Sequence, residues 1–536
     1  MKPYSSGKKP PVYYIFLFFL GGIILRGAGL ASQSVWIDEF CTAKFAGRDS
    51  VFFVFWEIYA RDMHPPTWYL LNHFMGKLFG FSELTIRILP FIFSIVCMAV
   101  FYRLTRVFFS EKISLAAFFL FAFNPYQIYY AQEARMYTMF LMTSLFIMYY
   151  FLMSLKYNTF LKGAFTFWAV AGIYTHSYTV FIILILNGVL FLKYREEIRI
   201  KEWMKSMAVI LLSALPLFPL FLKGAAGDQY SHNVGMLFAP VYTLKNFIFG
   251  ITMPFNWISL TALIGVLYFI MLGIFTYGKN IRKAVNVTAI TAGVFMFFPW
   301  IISILNKPVY SDRTFILVSA IVILLLGAGI SYLSKPAAAG VLLIISCFYA
   351  VSLYNYYFNP EYQKTDYAVQ FEFIKDNFKE GDIIVHSHVN SYAAYEFYNS
   401  LKYKTEFENR LLNEIPEFRG SGMRMKIREI WRTFREKILN EKLNLDIYAG
   451  YDRNTLPGPE AEKIMKNYDR VWFVRDNKKG IKQVWLPLGN VWNSSYEEIG
   501  LPEPVDIKTI KWVKKYFKTA EEYGYLGNKV YLLERK

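Results

Sequence analysis

Apolar residues recur along residues 12–357 in runs long enough to cross a membrane, with short polar interruptions between them. A transmembrane helix needs about 20 predominantly apolar residues. The pattern therefore predicts an all-α polytopic membrane bundle, and residues 237–255 could hold an additional segment. The eleven predicted spans lie near residues 12–30, 85–103, 113–130, 137–155, 162–176, 178–193, 206–222, 256–277, 285–305, 313–333 and 337–357.

Residues 358–536 follow a different pattern, in which charged residues alternate with short apolar stretches. Residues 366–378 are amphipathic with a helical period, whereas 381–389, 468–477 and 528–536 have the composition of strands. The sequence thus predicts two domains, a transmembrane domain at 1–357 and a soluble α/β domain at 358–536.

Two features of the predicted soluble domain carry weaker hypotheses. Residues 423–443 form a basic amphipathic pattern that suits a solvated helix face better than a helix resting on lipid head groups. His386 and His388 would point the same way from a strand, which is thin evidence for metal binding or catalysis. Recognition of an acceptor, or covering of a site, is the favoured role for this domain.

The loop after the first span, residues 31–84, is long and rich in Trp, Phe and Tyr. Its segments 51–60 and 67–80 have the pattern of amphipathic helices that lie in the membrane interface. Pro65 and Pro66 separate the two segments, because proline ends one helix and suits the first turn of the next.

Composition and charge support a membrane protein. Hydrophobic residues make up 55% of the chain, above the roughly 45–50% of ordinary globular proteins. The excess of basic residues lies mainly in the membrane part, at net +15, whereas the tail has net +3. This balance is typical of loops that stay on the cytoplasmic side. No Lys/Arg run with interleaved aromatic residues indicates a nucleic-acid groove.

The distribution of Lys and Arg among the short loops sets the orientation. With the N-terminus inside, the loops assigned to the inner side, such as 193–205 and 279–283, are the basic ones. An odd number of spans then places the tail on the outer side of the membrane, so we expect a multi-pass inner-membrane protein with an extracytoplasmic C-terminal domain. The first apolar run is interpreted as a retained helix, since Trp36 and Asp38 follow it where a signal peptide would have small residues.

The same orientation places five polar clusters on the outer face. Convergent polar residues above an apolar bundle would suit the polar group of a lipid-embedded substrate. The clusters are Asp38-Glu39, His64-Pro65-Pro66, Gln132-Glu133-Ala134-Arg135, Thr175-His176-Ser177 and Ser311-Asp312-Arg313.

Asp38 and Glu39 form an acid pair in a region where acids are scarce, with only 13 in residues 1–357. A carboxylate near hydrocarbon costs about 2.5–3.5 kcal/mol on insertion scales, so the pair calls for a function. Solvated acids beyond a helix end are the plain alternative. Trp36 is typical of the interfacial aromatic belt, and it could also stack on a sugar ring.

Glu133, Arg135 and Tyr137 lie where two predicted spans meet. Glu133 and Tyr137 are four residues apart and would share a helix face. An arginine at this depth suits a phosphate or carboxylate ligand. An ion pair that holds two spans together explains the same residues equally well.

His64, His176 and the Asp312-Arg313 pair are candidates for the same site. The two histidines together with an acid could bind a divalent metal, although spacing across separate loops leaves the metal open. Arg313 would either extend to the membrane interface or hold an anionic head group.

Four segments carry a resemblance to a known family: "WIDE", "HPPTWYLLNHFMGKLFGFSELTIRILP", "NPYQIYYAQEARMYTMFLMTSLF" and "YTHSY". Over about residues 10–330 the chain resembles the membrane glycosyltransferases of the GT-C fold. The likeness is to the bacterial branch related to dolichyl-phosphate-mannose–protein mannosyltransferases and lipid A aminoarabinose transferases. One departure is Thr314 after Arg313, where family members often carry Arg-Tyr.

The resemblance implies an inverting sugar transfer on the outer face, from a polyprenyl-phosphate-linked donor to a hydroxyl of a lipid, glycan or protein acceptor. It makes Asp38 the general base, with Glu39 as its neighbour and stand-in. It further implies that Glu133 and Arg135 position a substrate, and that His64, His176 and Arg313 contact the phosphate. A transporter or flippase of lipid-linked sugars, and a polysaccharide polymerase or ligase, are the alternatives.

Overall fold

The structure is a computed structural model. It describes residues 12–226, 236–275, 279–305, 309–386, 389–405, 407–411, 467–476, 517–525 and 528–536. The predicted basic helix at 423–443 and His388 lie outside the described residues.

Helices joined by short turns and loops make up the described part of the chain up to Phe358, as the apolar runs predict. Seven helices in this part are long and apolar enough to cross a membrane. Two further apolar helices, Val12–Gly27 and Thr179–Lys193, are shorter. The predicted helical membrane bundle is therefore confirmed. The predicted number of eleven spans is not confirmed. The helices are α1 Val12–Gly27, α2 Ile37–Ala46, α3 Val51–Arg61, α4 Thr67–Phe79, α5 Glu83–Phe108, α6 Glu111–Phe123, α7 Pro125–Ala131, α8 Tyr137–Tyr157, α9 Lys162–Thr175, α10 Thr179–Lys193, α11 Ile200–Ala214, α12 Phe218–Ala226, α13 Ala239–Phe249, α14 Trp257–Phe275, α15 Lys279–Leu305, α16 Ile316–Ile330 and α17 Lys335–Phe358.

The predicted span 113–130 is broken into α6 and α7 at Asn124. Pro125 causes the break, because proline disfavours the helical conformation in the residue before it, and Asn124 accordingly has ψ 122. The Asn124 side chain accepts from the Gln127 amide and donates to the Phe247 carbonyl, so it satisfies backbone groups on both sides. The break lets the chain turn toward the polar 132–136 segment.

Helix α16 lies at the centre of the bundle, with every one of its residues buried. Glycines allow neighbouring helices to approach it closely: a Cβ atom on Gly329 would lie 1.8 Å from the Phe269 carbonyl oxygen of α14. Close approach through small residues is the usual way that helices pack in membranes. Asp312 and Arg313 lie in a 3-10 turn, Asp312–Phe315, directly before the other end of α16.

The loop 31–84 contains α2, α3 and α4, so the two amphipathic helices predicted at 51–60 and 67–80 are present. Helix α3 starts at Ser50, whose hydroxyl accepts from the Phe53 amide. Helix α4 buries Trp68 and Tyr69 completely and leaves Phe74 and Leu78 exposed. These helices fold over the bundle end that carries the polar clusters.

The C-terminal part contains helices and one mixed sheet, as predicted for an α/β domain. Its helices are α18 Tyr367–Asn377 and α19 Val389–Glu396, the latter continuing into a π-helical turn at Phe397–Lys402. The sheet has the strand order β2-β1-β3-β5-β4; β1 is parallel to β2 and β3, and the β3-β5-β4 part is antiparallel. The strands are β1 Ile383–His386, β2 Asn409–Leu411, β3 Arg470–Asp476, β4 Phe517–Tyr525 and β5 Asn528–Arg535.

The C-terminal part packs directly on the segment that holds the acid pair. Phe40 of α2 and Phe371 of α18 belong to one buried apolar cluster, which also contains Tyr395 and Tyr398. The Tyr398 hydroxyl accepts from the Val35 amide at 3.0 Å, and the Ala368 amide donates to Ser34 at 3.0 Å. The division of the chain at 357/358 stays a prediction.

Candidate active site

The five polar clusters of the sequence meet at one end of the bundle. This end is formed by the segment between α1 and α2, the start of α4, the α7–α8 and α9–α10 junctions, and the start of α16. Each helix that arrives here ends where a proline, glycine or polar residue interrupts its apolar run. We call the resulting group of side chains the rim site; its members are Asp38, Asp62, His64, Arg135, Tyr137, His176 and Arg313.

Asp38 lies in the first turn of α2 and contacts two arginines. Its Oδ2 atom accepts from Arg313 Nη1 at 2.6 Å, and its backbone carbonyl accepts from Arg135 Nη1 at 3.3 Å. Burial alone would raise the pKa of Asp38, but the charges of Arg313 and Arg135 hold it below its ordinary value. The carboxylate is therefore ionised and partly exposed, at 25% of its side-chain surface.

Arg135 and Tyr137 line the floor of the rim site. Arg135 is 7% exposed, and its buried Nε atom has no hydrogen-bond partner within the described part of the chain. The guanidinium of Arg313 lies over the Tyr137 ring, 5.9 Å from its centroid. Arg135 and Arg313 thus lie beside Asp38, and Asp62 also acts on Arg135, so the rim site holds two guanidinium groups and two carboxylates.

His64 and His176 lie beside this carboxylate, with ring centroids 6.1 Å apart. Asp62 holds His64 through its Nδ1 atom at 2.8 Å, and Tyr69 donates to the other oxygen of Asp62. His176 accepts from the Tyr178 amide through Nδ1 at 3.2 Å, so its proton is on Nε2 when the ring is neutral. His64 and His176 can therefore both direct Nε2 toward a ligand.

Glu39 is placed quite differently from Asp38. It is fully buried and forms a bidentate ion pair with Arg87, at 2.8 and 2.7 Å. It also accepts from the Ala134 amide at 3.0 Å and from Lys364 at 3.0 Å. Burial would raise its pKa, but Arg87 and Lys364 lower the pKa of Glu39 to about 2.

Glu133 and Trp36 belong to this second, buried group. The indole N–H of Trp36 donates to Glu133 Oε2 at 2.8 Å, and Lys364 lies 2.9 Å from Glu133 Oε1. Burial raises the pKa of Glu133, and Lys364 opposes that rise. We call Glu39, Arg87, Glu133 and Lys364 the buried ion cluster.

Asp312 lies next to the rim site, directly before Arg313 in the chain. It accepts from the Arg313 amide at 2.8 Å and from Asn246 at 3.1 Å. Its backbone carbonyl accepts from the Tyr126 hydroxyl at 3.0 Å. Asp312 therefore shapes the turn that presents Arg313.

No group of three or more His, Cys, Asp or Glu side chains with the arrangement of a metal site occurs among the residues that the structure describes. The two histidines and Asp62 contact one another only in pairs.

The sequence analysis missed three residues of the two groups, Asp62, Arg87 and Lys364. Arg87 had a usable signal, because a charged residue inside an apolar span is a functional or structural marker by default. Asp62 lies two residues before His64, within reach of the same cluster. Lys364 had no signal in the sequence, because it lies 325 positions from Glu39 along the chain.

Comparison with known proteins gives a consistent picture of the fold. Residues 63–222 match the family model described as dolichyl-phosphate-mannose-protein mannosyltransferase. The structure of ArnT from Cupriavidus metallidurans bound to undecaprenyl phosphate superposes with a TM-score of 0.60 at 11% identity, covering 97% of this chain and 98% of that one. Its apo structure gives a TM-score of 0.59 at 11% identity, with the same 97% and 98% coverage.

This chain has the GT-C fold. The GT-C assignment extends to a more distant structure, the archaeal oligosaccharyltransferase AglB from Archaeoglobus fulgidus in complex with an inhibitory peptide and a dolichol-phosphate. That match has a TM-score of 0.52 at 12% identity and covers 97% of this chain and 74% of AglB. No curated protein sequence matches the chain significantly. The GT-C bundle is a multi-pass membrane structure, which the seven long apolar helices also indicate.

Proposed function

We propose that the protein is an inverting glycosyltransferase that moves a sugar from a polyprenyl-phosphate-linked donor to an acceptor hydroxyl, with Asp38 as general base. One observation carries the proposal: an ionised carboxylate, Asp38, lies 2.6 Å from Arg313 beside Arg135, at the open end of a GT-C bundle. A carboxylate that accepts a proton and cations that receive a departing phosphate are the two groups that this reaction requires.

In the proposed step, the acceptor oxygen attacks the anomeric carbon from the face opposite the lipid phosphate. The oxygen–carbon bond forms, the bond from carbon to phosphate oxygen breaks, and the hydroxyl proton passes to Asp38. General-base assistance is worth roughly 10²–10⁴-fold in rate. The lipid phosphate leaves with the bonding electron pair, and Arg313 and Arg135 stabilise the charge that develops on it.

Arg313 has a double role in this scheme. Without a donor it pairs with Asp38 and weakens it as a base. A donor phosphate offers the guanidinium a second anion, and sharing the arginine raises the pKa of Asp38 toward its ordinary value. Donor binding therefore activates the base at the moment when a leaving group is in place.

His176 supplies a hydrogen-bond donor for the phosphate through Nε2, because its Nδ1 accepts from the Tyr178 amide. His64 is held the other way round: its Nδ1–H donates to Asp62, so Nε2 of the neutral ring accepts a hydrogen bond. Histidines held through one ring nitrogen present the other in a fixed direction.

We further propose that Glu39 and Glu133 are structural rather than catalytic. Both are buried, and both pair with cations instead of facing the rim site. Trp36 binds Glu133 through its N–H, which leaves only the ring face for a sugar. Asp312 acts through the turn that it stabilises before Arg313.

The donor class is supported by two similar solved structures, ArnT bound to undecaprenyl phosphate and AglB in complex with a dolichol-phosphate. The two guanidinium groups of the rim site, Arg135 and Arg313, suit the same phosphate group. We place the reaction on the extracytoplasmic face of the inner membrane because of the Lys/Arg distribution among the loops. Hexose or pentose donors, and lipid, glycan or protein acceptors, all remain within the proposal.

The experiment supplies purified protein in lipid nanodiscs with a panel of radiolabelled polyprenyl-phosphate sugars and candidate acceptors. The native protein should form a glycosidic bond, and Asp38→Asn should lower kcat by about 10²–10⁴-fold. Asp49→Asn is the matched control, since Asp49 is an exposed acid of the same loop. Equal transfer by native protein and Asp38→Asn overturns the role of Asp38. Movement of the lipid-linked sugar across sealed vesicles without bond formation would overturn the proposal in favour of transport.

A further inference from the structure

The buried ion cluster joins the C-terminal part of the chain to the helix that carries Asp38. Lys364 lies in the connection between α17 and α18, and its ammonium group reaches Glu39 at 3.0 Å and Glu133 at 2.9 Å. Glu39 follows Asp38 in the chain, in the first turn of α2, and Glu133 lies two residues before Arg135. Through these two glutamates, Lys364 is linked to two members of the rim site.

The charges of this cluster balance only when Lys364 is counted. Arg87 donates to Glu39 through two nitrogens and also to the carbonyls of Gln33 and Ser34, so its donors are committed. Glu133, which is 2% exposed, therefore depends on Lys364 for its cation. Leaving a buried carboxylate without its partner is strongly unfavourable.

Other contacts of the same connection fix the neighbouring backbone. The Lys364 amide lies 3.4 Å from Gln33 Oε1, and its ammonium group lies 5.8 Å from the centroid of the Trp36 ring. The backbone amide of Lys364 contacts Gln33, and its ammonium group contacts Glu39. Lys364 is therefore bound to both ends of segment 33–39. A shift of about 1 Å in a reacting group can cost about 10²-fold in rate.

We infer that Lys364 is a positioning residue: through Glu39 and Glu133 it holds α2 so that Asp38 faces Arg313, and the C-terminal part is thereby a component of the catalytic centre. This inference rests on the proposed function for its kinetic consequence, whereas its structural consequence can be measured without any reaction.

The test compares Lys364→Met with Lys402→Met. Lys402 also bridges from the C-terminal part to the membrane part, at 3.0 Å from Glu83, but it does not contact the buried ion cluster. We expect Lys364→Met to lower kcat by about 10²-fold with a smaller change in the donor KM, and Lys402→Met to keep the native kcat. Lys364→Arg, which keeps the charge, should restore most of the rate.

A double variant tests whether the lost activity of Lys364→Met comes from an unpaired buried carboxylate or from general loss of the fold. Lys364→Met combined with Glu133→Gln leaves the Arg87–Glu39 pair and no unpaired carboxylate, so it should recover activity relative to Lys364→Met alone. If Lys364→Arg and the double variant are both as inactive as Lys364→Met, the inference is overturned. Native kcat in Lys364→Met would also overturn it.

Amide hydrogen exchange supplies the readout that does not depend on catalysis. In Lys364→Met, amides of residues 36–46 should exchange faster than in native protein, and in Lys402→Met they should not. Unchanged exchange in Lys364→Met overturns the positioning role even where native protein transfers sugar. If native protein transfers no sugar from any donor, the proposed function fails while the exchange result still decides the inference.

Discussion

At the scale of single residues, the two adjacent acids Asp38 and Glu39 have opposite environments. Asp38 faces the rim site with a quarter of its side chain exposed, whereas Glu39 is buried against Arg87. Neighbouring residues in a helix point about 100° apart, so one can face a ligand while the other anchors the helix. These environments fit the proposal that Asp38 is the base, and they make Glu39 an anchor of α2 and not an interchangeable second base.

The pairing of Asp38 with Arg313 predicts a pH effect. A general base works only when deprotonated, so the acid limb of kcat/KM follows the pKa of Asp38 in the free enzyme. Burial raises that pKa and Arg313 lowers it, so Arg313→Gln should move the acid limb to higher pH. Arg313→Lys, which keeps the charge, should leave the limb closer to its native position. The measurement is kcat/KM against pH for the three proteins, and an acid limb that stays fixed in Arg313→Gln would contradict the pairing.

At the scale of helices, small residues decide how the bundle closes around α16. Gly329 has no room for a side chain, because a Cβ atom would lie 1.8 Å from the backbone oxygen of Phe269. Gly265 on α14 faces open space, with nothing within 4 Å of an added Cβ. Helix packing therefore requires glycine at position 329, whereas the structure has room for a larger residue at position 265.

Gly329→Ala should destabilise the protein by at least about 1–3 kcal/mol, which is typical of overpacked sites. Gly265→Ala should be neutral or slightly stabilising, since alanine favours the helix over glycine. Thermal unfolding in nanodiscs gives the comparison. Equal melting temperatures for the two variants would show that α14 can move away from α16 at little cost.

At the scale of the whole molecule, the C-terminal part and the membrane part share one apolar cluster. Tyr398 is fully buried in that cluster together with Phe40 of α2, and its hydroxyl accepts from the Val35 amide. Val385, in contrast, is buried in a separate cluster on the other face of the sheet. One sheet face therefore supports the rim site, and the other serves the C-terminal part alone.

Tyr398→Ala should cost about 3–5 kcal/mol, the usual range for removing a large buried ring, and it should also reduce sugar transfer because α2 loses its support. Val385→Ala should lower the melting temperature while sugar transfer at low temperature stays native. Both quantities are measured on the same preparations. Native transfer by Tyr398→Ala would show that α2 keeps its position without the C-terminal part.

The sequence by itself determined the apolar runs that became helices and the two amphipathic helices of loop 31–84. It also predicted strands at 381–389, 468–477 and 528–536, and the structure has strands within each of these ranges. These elements follow from local periodicity, which needs no knowledge of distant residues. It also identified Asp38, Arg135, His64, His176 and Arg313 as candidates, because polar residues at the ends of apolar spans are conspicuous.

Only the tertiary structure decided which of these candidates share a site and which serve as anchors. The ion pair between Arg313 and Asp38 joins residues 275 positions apart, and Lys364 reaches Glu39 across 325 positions. Burial and charge compensation depend on such distant contacts, and no local pattern encodes them. For that physical reason the sequence could propose a carboxylate base, whereas the division between the rim site and the buried ion cluster required the folded molecule.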